Sequence, residues 1–193
     1  MLYAIAHFLR DKMPWLWDFV DMANSMLFSL RYGRKLKKFK SEIPLNDYKM
    51  LPIREVPTDE IAKFFARQPE DAYKFFKPHG FDTKSIKKLQ KNKAFLAYFI
   101  MDKSTIAGYC FNRSFFHGKA FRGRMVDIGY RGKGLGTLMN RLLNEVGFGI
   151  GLRLYETVNK DNVASYRSAL SASNIKVIDE KEDGDLFIEI LKD

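Results

Sequence analysis

The sequence predicts a mixed α/β domain preceded by a helical arm. From residue 48 onward, short apolar segments typical of strands are interspersed with segments of helical periodicity. A glycine-rich loop separates one of these strands from the helix that follows it. Hydrophobic residues make up 46% of the 193 residues and aromatic residues 15%, which is enough apolar material for a packed core. These observations exclude a disordered chain.

The arm is predicted over residues 1–33, where apolar residues recur at helical spacing on two faces. Pro14 is expected to open a second helix within the arm, since a proline inside a helix removes a backbone hydrogen bond. The basic run "RYGRKLKKFK" and the turn-prone "SEIPLND" after it then predict a hinge over residues 34–47. A domain over residues 48–193 completes the predicted organisation.

Two interpretations of the arm stay open at this point. Its apolar faces can pack on its own domain or on a second copy in a homodimer, which is the ordinary fate of apolar helix faces. Alternatively, residues 1–40 can form an amphipathic anchor on anionic lipid, with Trp15 and Trp17 at the membrane interface.

The first half of the domain is predicted to hold a strand, two helices and a hairpin. In chain order these are a strand over 48–56, helices over 58–68 and 82–92, and strands over 94–102 and 106–113. Thr58 is expected to cap the first helix, and Asp82 or Thr83 the second.

The second half is predicted to continue as strand, helix, strand, helix and hairpin. The predicted elements are a strand over 121–128, a helix from 135, a strand over 152–158, a helix over 162–173 and a hairpin over 175–191. Gly147 and Gly149 are expected to stop the first helix, and Asn162 or Asp161 to cap the second. The hairpin is expected to turn at Asp183 and Gly184.

Net charge and cysteine content restrict the classes of partner and of site that the protein can have. A net charge of +10 and a pI near 9.6 favour anionic partners, but no aromatic-interleaved strand or recognition helix accompanies the charge, so no nucleic-acid partner is predicted. Cys110 is the one cysteine, which excludes an intramolecular disulfide and a cysteine-rich zinc site and predicts a buried thiol. With no signal-peptide pattern and no spanning apolar run, we expect a cytoplasmic protein, free or at the inner face of the membrane.

The loop "GYRGKGLGTLM", residues 129–139, is typical of a phosphate-binding turn, because residues without Cβ expose backbone N–H groups at a helix start. An ATP-type loop is excluded, since Gly134 is not followed by a lysine and a hydroxyl residue. The dinucleotide pattern G-x-G-x-x-G also fails, although Glu156 lies where a ribose-binding acid would be expected.

The run Arg131–Gly136 matches the pattern [QR]-x-x-G-x-[GA] and resembles the GNAT family of acyl-CoA N-acyltransferases. The segment "NKDNVASYRSALSASNIKV" resembles that family's second cofactor segment, and the resemblance covers about residues 50–192. It implies a mostly antiparallel sheet flanked by helices, acetyl-CoA as cosubstrate and no metal. It assigns cofactor contacts to Val126, Asp127, Ile128, Arg131, Gly132, Lys133, Gly134, Leu135, Gly136, Thr137, Asn162 and Ser165.

The resemblance implies direct transfer of an acetyl group to an amine, in a cleft between the splayed strands 121–128 and 152–157. Glu156 and His79 are the candidate bases, and Tyr166 is the candidate acid for the leaving thiolate. Glu156 and His79 each have a structural alternative, a solvated strand-end carboxylate and a loop histidine that donates a hydrogen bond. The family's acid position falls on Tyr166 when counted from Asn159 but on Ala169 when counted from Asn162, and a coenzyme A thiolate can also leave without an acid. His117, in the turn before the central strand, is a further candidate for the acceptor end.

The acceptor is predicted from a second resemblance. The runs "FFKPHGFD" and "GRMVDIGYRGKGLG" resemble bacterial acetyltransferases of surface-polysaccharide synthesis, which implies an amino sugar carried on a nucleotide or a lipid. Small amines and protein amino groups are live alternatives. A catalytically silent binding module that acts through the arm is the second hypothesis, and a nucleotide-dependent oxidoreductase is the third.

Overall fold

The computed structural model describes residues 14–192 and shows one seven-stranded sheet packed between helices. The helices are α1 (Pro14–Lys38), α2 (Thr58–Ala66), α3 (Thr83–Lys91), α4 (Leu135–Ile150) and α5 (Val163–Leu170). The strands are β1 (Tyr48–Pro52), β2 (Phe95–Asp102), β3 (Thr105–Ser114), β4 (Lys119–Val126), β5 (Arg153–Asn159), β6 (Ile175–Glu180) and β7 (Asp185–Ile190). The predicted α/β class and element order are confirmed.

The sheet order is β1-β2-β3-β4-β5-β7-β6, and every neighbouring pair is antiparallel except β4 and β5, which are parallel. Helices α2 and α3 cover one face of β1 to β4, over a core rich in phenylalanine. Helices α1, α4 and α5 lie on the other face, over an aliphatic core. The parallel strands β4 and β5 thus lie at the centre of the sheet with helices on both faces, and the candidate site lies between these two strands.

Helix α1 extends beyond the predicted arm. Pro14 is its first residue, as the proline rule predicts, but the helix continues to Lys38 through the first five residues of the predicted hinge. Basic side chains in its last turn, with no proline or acidic residue there, favour this extension because cations stabilise a helix C-terminus. Phe28 and Tyr32 are buried against the aliphatic core, so α1 packs on its own domain. The predicted interfacial side chains of Trp15 and Trp17 lie outside what the structure describes.

Within residues 14–192 no helix is long and apolar enough to cross a membrane.

Of the two helix caps predicted in the first half of the domain, one is confirmed and one is wrong. The Asp82 carboxylate accepts hydrogen bonds from the N–H groups of Lys84 and Ser85 at 3.0 Å and caps α3. Thr58 is the first helical residue of α2 and caps nothing; its hydroxyl donates to Gln90 Oε1 at 2.9 Å instead. The Thr58 hydroxyl, which the local pattern assigned to a cap, thus makes a tertiary contact instead.

The prediction that Gly147 and Gly149 end a helix is wrong. Helix α4 continues through both to Ile150 and ends at Gly151, whose φ of +91° favours glycine. A Cβ on Gly147 would lie 2.5 Å from Leu154 Cδ2, and one on Gly149 would lie 2.7 Å from the Phe39 ring. Both glycines therefore serve close packing of α4 on β5 and on the segment after α1.

Candidate active site

A gap opens between the two central strands. Lys119–Phe121 of β4 pair with Arg153–Tyr155 of β5, and beyond Phe121 these strands are no longer paired with each other. Further along, β4 pairs only with β3 and β5 only with β7. One edge of the β4 backbone from residue 122 to 126 thus faces the gap, as the family resemblance implied.

The glycine loop stands at the mouth of this gap, between β4 and α4. Gly132 and Gly134 have φ values of +76° and +77°, a left-handed conformation that favours glycine. No side chain caps α4, so the N–H groups at its start have no side-chain acceptor and can donate to a ligand. No atom lies within 4 Å of where a Cβ would stand on either glycine, which leaves the loop open to a ligand. Gly136 differs: its Cβ would lie 3.0 Å from Ser168 Oγ, so it allows α4 to approach α5.

Asp127, between β4 and the glycine loop, is fixed by hydrogen bonds from residues that directly follow α2. The Asp127 carboxylate accepts hydrogen bonds from Arg67 Nε at 2.9 Å, Gln68 Nε2 at 2.8 Å and the Gly129 N–H at 3.0 Å. Burial alone would raise the pKa of Asp127, but these hydrogen bonds outweigh it and hold the pKa below its usual value. The Asp127 side chain is therefore structural, and so is its backbone: its N–H donates to the Ala107 carbonyl at 3.0 Å and its carbonyl accepts from the Tyr130 N–H at 2.9 Å.

The other predicted cofactor residues of the loop divide into two groups. Arg131 and Lys133 are exposed: Arg131 Nη1 lies 4.0 Å from Asp71, and Lys133 lies over the Tyr130 ring at 4.8 Å. Both cations can reach an anion placed at the loop. Leu135 is a core residue on α4, so it can offer only its N–H group.

Glu156 is buried in an ion-pair triad that sequence reasoning missed. Its two carboxylate oxygens accept hydrogen bonds from Arg122 Nε and Arg124 Nη1, each at 2.6 Å, across the gap between β4 and β5. Burial would raise the pKa of Glu156, but the two guanidinium groups outweigh it and lower the pKa. A carboxylate with both oxygens occupied and a depressed pKa is a poor proton acceptor, which argues against the predicted base. The sequence did contain a sign of this triad: Arg122 and Arg124 are two residues apart on a central strand, so both side chains lie on one face of the sheet and need an acidic partner there.

The second predicted cofactor segment forms the start of α5. Asn162 caps the helix by accepting from the Ser165 N–H at 3.2 Å, which confirms it over Asp161 as the cap. The Ser165 hydroxyl and carbonyl accept hydrogen bonds from Arg124 Nη2 at 3.0 and 2.7 Å. Arg124 therefore ties β4, β5 and α5 together. Tyr166 is half-buried against the aliphatic core.

His79 lies on the other face of the sheet, half-buried against the aromatic core. Its Nδ1–H donates to the Gly80 carbonyl at 2.8 Å, and its Nε2 accepts from the Tyr109 hydroxyl at 2.8 Å. Burial lowers the pKa of His79 to about 4, with a smaller contribution from the charge of Arg113. Both ring nitrogens are occupied, so the structure favours the structural interpretation. His117 stacks on Phe115 in the turn between β3 and β4.

A group of three aromatic rings, here called the aromatic patch, lies beside the start of the gap. Phe121, Tyr155 and Phe187 have ring centroids 5.5–6.1 Å apart, and Phe187 lies within 18° of parallel to both others. Phe121 and Met125 are four residues apart on β4, so their side chains lie on the same face of the sheet. Met125 belongs to the core beneath α2, so the aromatic patch lies on that face, opposite the arginines. Phe121 is 37% exposed, and the Lys119 ammonium lies 5.7 Å from the Tyr155 ring centroid.

A mostly antiparallel sheet that opens between two parallel central strands, with a glycine-rich helix start at the opening, defines the GNAT fold. Comparison with solved structures agrees. The chain superposes on the GNAT domain of S. lividans PAT with a TM-score of 0.64 at 12% identity, covering 74% of this chain and 89% of that one. Neither a protein-family model nor a curated protein sequence matches the chain.

Two further structures of this fold are similar to the chain. Campylobacter jejuni N-acetyltransferase PseH has a TM-score of 0.58 at 15% identity, with 77% of this chain and all of that one covered. Microcin C7 self immunity acetyltransferase MccE, in complex with acetyl-CoA and AMP, has a TM-score of 0.59 at 21% identity, with 79% and 98% covered. At these identities the comparisons establish the fold.

Proposed function

We propose that this protein is an acetyl-CoA-dependent N-acetyltransferase that transfers the acetyl group directly to an amine. One observation carries the proposal: the uncapped start of α4, with two left-handed glycines, stands at the mouth of the gap between β4 and β5. Structures of PseH and MccE with acetyl-CoA bound support it, because both chains share the fold.

The residues present fit coenzyme A. Free N–H groups and the positive end of the α4 dipole favour a pyrophosphate, and Arg131 and Lys133 add positive charge beside them. Within residues 126–128, the backbone of Val126 at the open edge of β4 would hold the pantetheine arm, while the bonded N–H groups of Asp127 and Ile128 would fix its position. The Thr137 hydroxyl would add a donor near the phosphates. Asn162 and Ser165 would contribute by placing α5 against the gap. When bound, the cofactor supplies an acyl group activated as a thioester.

Proton transfer is proposed to depend little on the predicted bases. Glu156 is occupied by two arginines, and His79 has a pKa of about 4 with both nitrogens hydrogen-bonded. We therefore expect the acceptor amine to lose its proton to water, so the rate should follow the amine's own titration. Tyr166 stays the candidate acid for the thiolate, and Tyr166→Phe should then lower kcat without changing the KM for acetyl-CoA.

An amino sugar carried on a nucleotide or a lipid phosphate is the proposed acceptor. The exposed ring of Phe121 offers an apolar surface on which a sugar ring or a base can stack, at the point where the strands separate. Lys119, exposed beside the aromatic patch, suits a phosphate. Phe121→Ala should raise the KM for such acceptors and leave that of a polyamine unchanged.

The test is thiol release from acetyl-CoA, screened over nucleotide-linked amino sugars, free amino sugars and polyamines. Gly134→Ala forces a side chain into φ +77° at the loop and should raise the Kd for coenzyme A by about tenfold or more. Gly184→Ala imposes a similar strain at φ +82° in the β6–β7 turn and is the matched control, expected to leave coenzyme A binding unchanged. Absence of coenzyme A binding to the wild-type protein would overturn the proposal.

A second candidate function is a binding module that keeps the fold without catalysis. The observation that favours it is the Arg122–Glu156–Arg124 triad, which bridges the two strands where the reaction would take place. This candidate predicts coenzyme A binding with no thiol release for any amine in the screen.

A further inference from the structure

The outward face of α1 carries a row of exposed apolar side chains. Phe19, Met22, Met26 and Leu30 follow one another at helical spacing and are 55–81% exposed. They lie opposite Phe28 and Tyr32, the residues that α1 buries in the domain. We call these four residues the apolar row. Large side chains left in contact with water in one continuous row mark an interaction surface rather than a solvated helix face.

Positive charge borders the apolar row on two sides. At its C-terminal end the last turns of α1 expose Arg34, Lys37 and Lys38. Along its side runs α3, whose Lys84, Lys87, Lys88 and Lys91 recur at helical spacing and line a common surface groove. Charges from two separate helices thus surround one apolar surface.

Contacts between the two helices place the lysines of α3 beside the row. Lys88 pairs with Asp18, Asn92 Nδ2 donates to Asp21 at 2.8 Å, and the Lys93 N–H donates to Ser25 Oγ at 2.8 Å. The same contacts turn Asp18 and Asp21, the only acidic residues of α1, away from the apolar row and toward α3. Asp18 stays 55% exposed, but its charge is offset by Lys88, so apolar and basic groups dominate this surface.

We infer that α1 and the lysine face of α3 form a docking surface for an anionic lipid membrane, with the apolar row entering the interface and the lysines and arginines binding headgroup phosphates. An apolar strip bordered by cations is the composition that holds helices in the plane of anionic bilayers. A second copy of this chain fits less well, because two such basic borders would repel each other. The inference does not depend on acetyl transfer.

The test is sedimentation of the 193-residue chain with vesicles of pure phosphatidylcholine and with vesicles that contain about 30% phosphatidylserine. We expect at least about tenfold stronger binding to the anionic vesicles, and a similar loss between low and high salt. Leu30→Glu should weaken that binding by about tenfold or more, because it places a charge where an apolar contact forms. Val177→Glu, at an apolar position on β6 that is 47% exposed, is the control and should bind as the wild type does.

Three results would overturn the inference. The first is equal or absent binding to both kinds of vesicle. The second is a dimer in light scattering that Leu30→Glu dissociates, which would assign the row to a second copy of the chain. The third is a clear fall in the unfolding midpoint of Leu30→Glu relative to Val177→Glu, which would show that the row is covered within the chain.

Discussion

Replacing Glu156 by glutamine separates a structural carboxylate from a catalytic one. In the wild type both oxygens of Glu156 are bonded, and the side chains of Arg122 and Arg124 are only 0% and 6% exposed. Glutamine keeps the size of the side chain but removes its charge and one acceptor. Two buried guanidinium groups would then have no carboxylate between them.

The expected cost is about 3–5 kcal/mol of unfolding free energy, since removing one partner of a buried pair leaves uncompensated charge in the interior. In a domain of this size that corresponds to a fall in Tm of about 6–20 °C. Urea denaturation and thermal melts would measure both. Glu189→Gln is the matched control: Glu189 also pairs with an arginine, Arg153, but that side chain is 64% exposed, so we expect a small fraction of the cost.

The pH dependence of stability provides a second readout. Because the pKa of Glu156 is lower in the folded protein than its usual value of 4.5, its stabilising contribution is complete above that pH and is lost as the pH falls through the folded pKa. Glu156→Gln should therefore flatten the acid limb of the stability curve. A variant with wild-type stability and no acetyl transfer would refute this reasoning and restore Glu156 as the base.

Two further predictions follow from packing and from burial. Gly147→Ala should destabilise the protein by about 1–3 kcal/mol in urea denaturation, because the new methyl group would stand 2.5 Å from Leu154 Cδ2; Gly33→Ala, whose nearest neighbour is 3.6 Å away, should be neutral or stabilising, and equal costs would contradict the packing argument. The pKa of His79, about 4 when folded and 6.5 ordinarily, should make stability decrease by about 1.4 kcal/mol per pH unit between those values as the pH falls, since only the unfolded chain takes up the proton. His79→Gln should remove that slope, and an NMR titration that places the folded pKa near 6.5 would contradict it.

Local sequence patterns were sufficient for the order of the elements and for the position of the glycine loop between a strand and a helix. Strand alternation and helical periodicity depend on neighbouring residues, so the hairpins and the helix after the glycine loop follow from the sequence alone, and the α5 cap is narrowed to Asn162 or Asp161. The conformation of Gly134 is likewise local, because a left-handed residue at a helix start favours glycine whatever surrounds it. The buried Cys110 thiol, whose pKa burial raises to about 12, was also evident from its apolar neighbours.

The tertiary structure decided what each side chain can do. Glu156 looks like a strand-end acid in the sequence, and only the fold brings Arg122 and Arg124, more than 30 positions earlier, onto its two oxygens. Gly147 resembles a helix stop until Leu154 is seen against it. Both apolar faces of α1 are visible in the sequence, but which face is buried depends on contacts with residues about 60–120 positions away. Periodicity records the spacing of side chains along the chain, whereas charge pairing, burial and close packing are set by distances in space, and those exist only once the chain has folded.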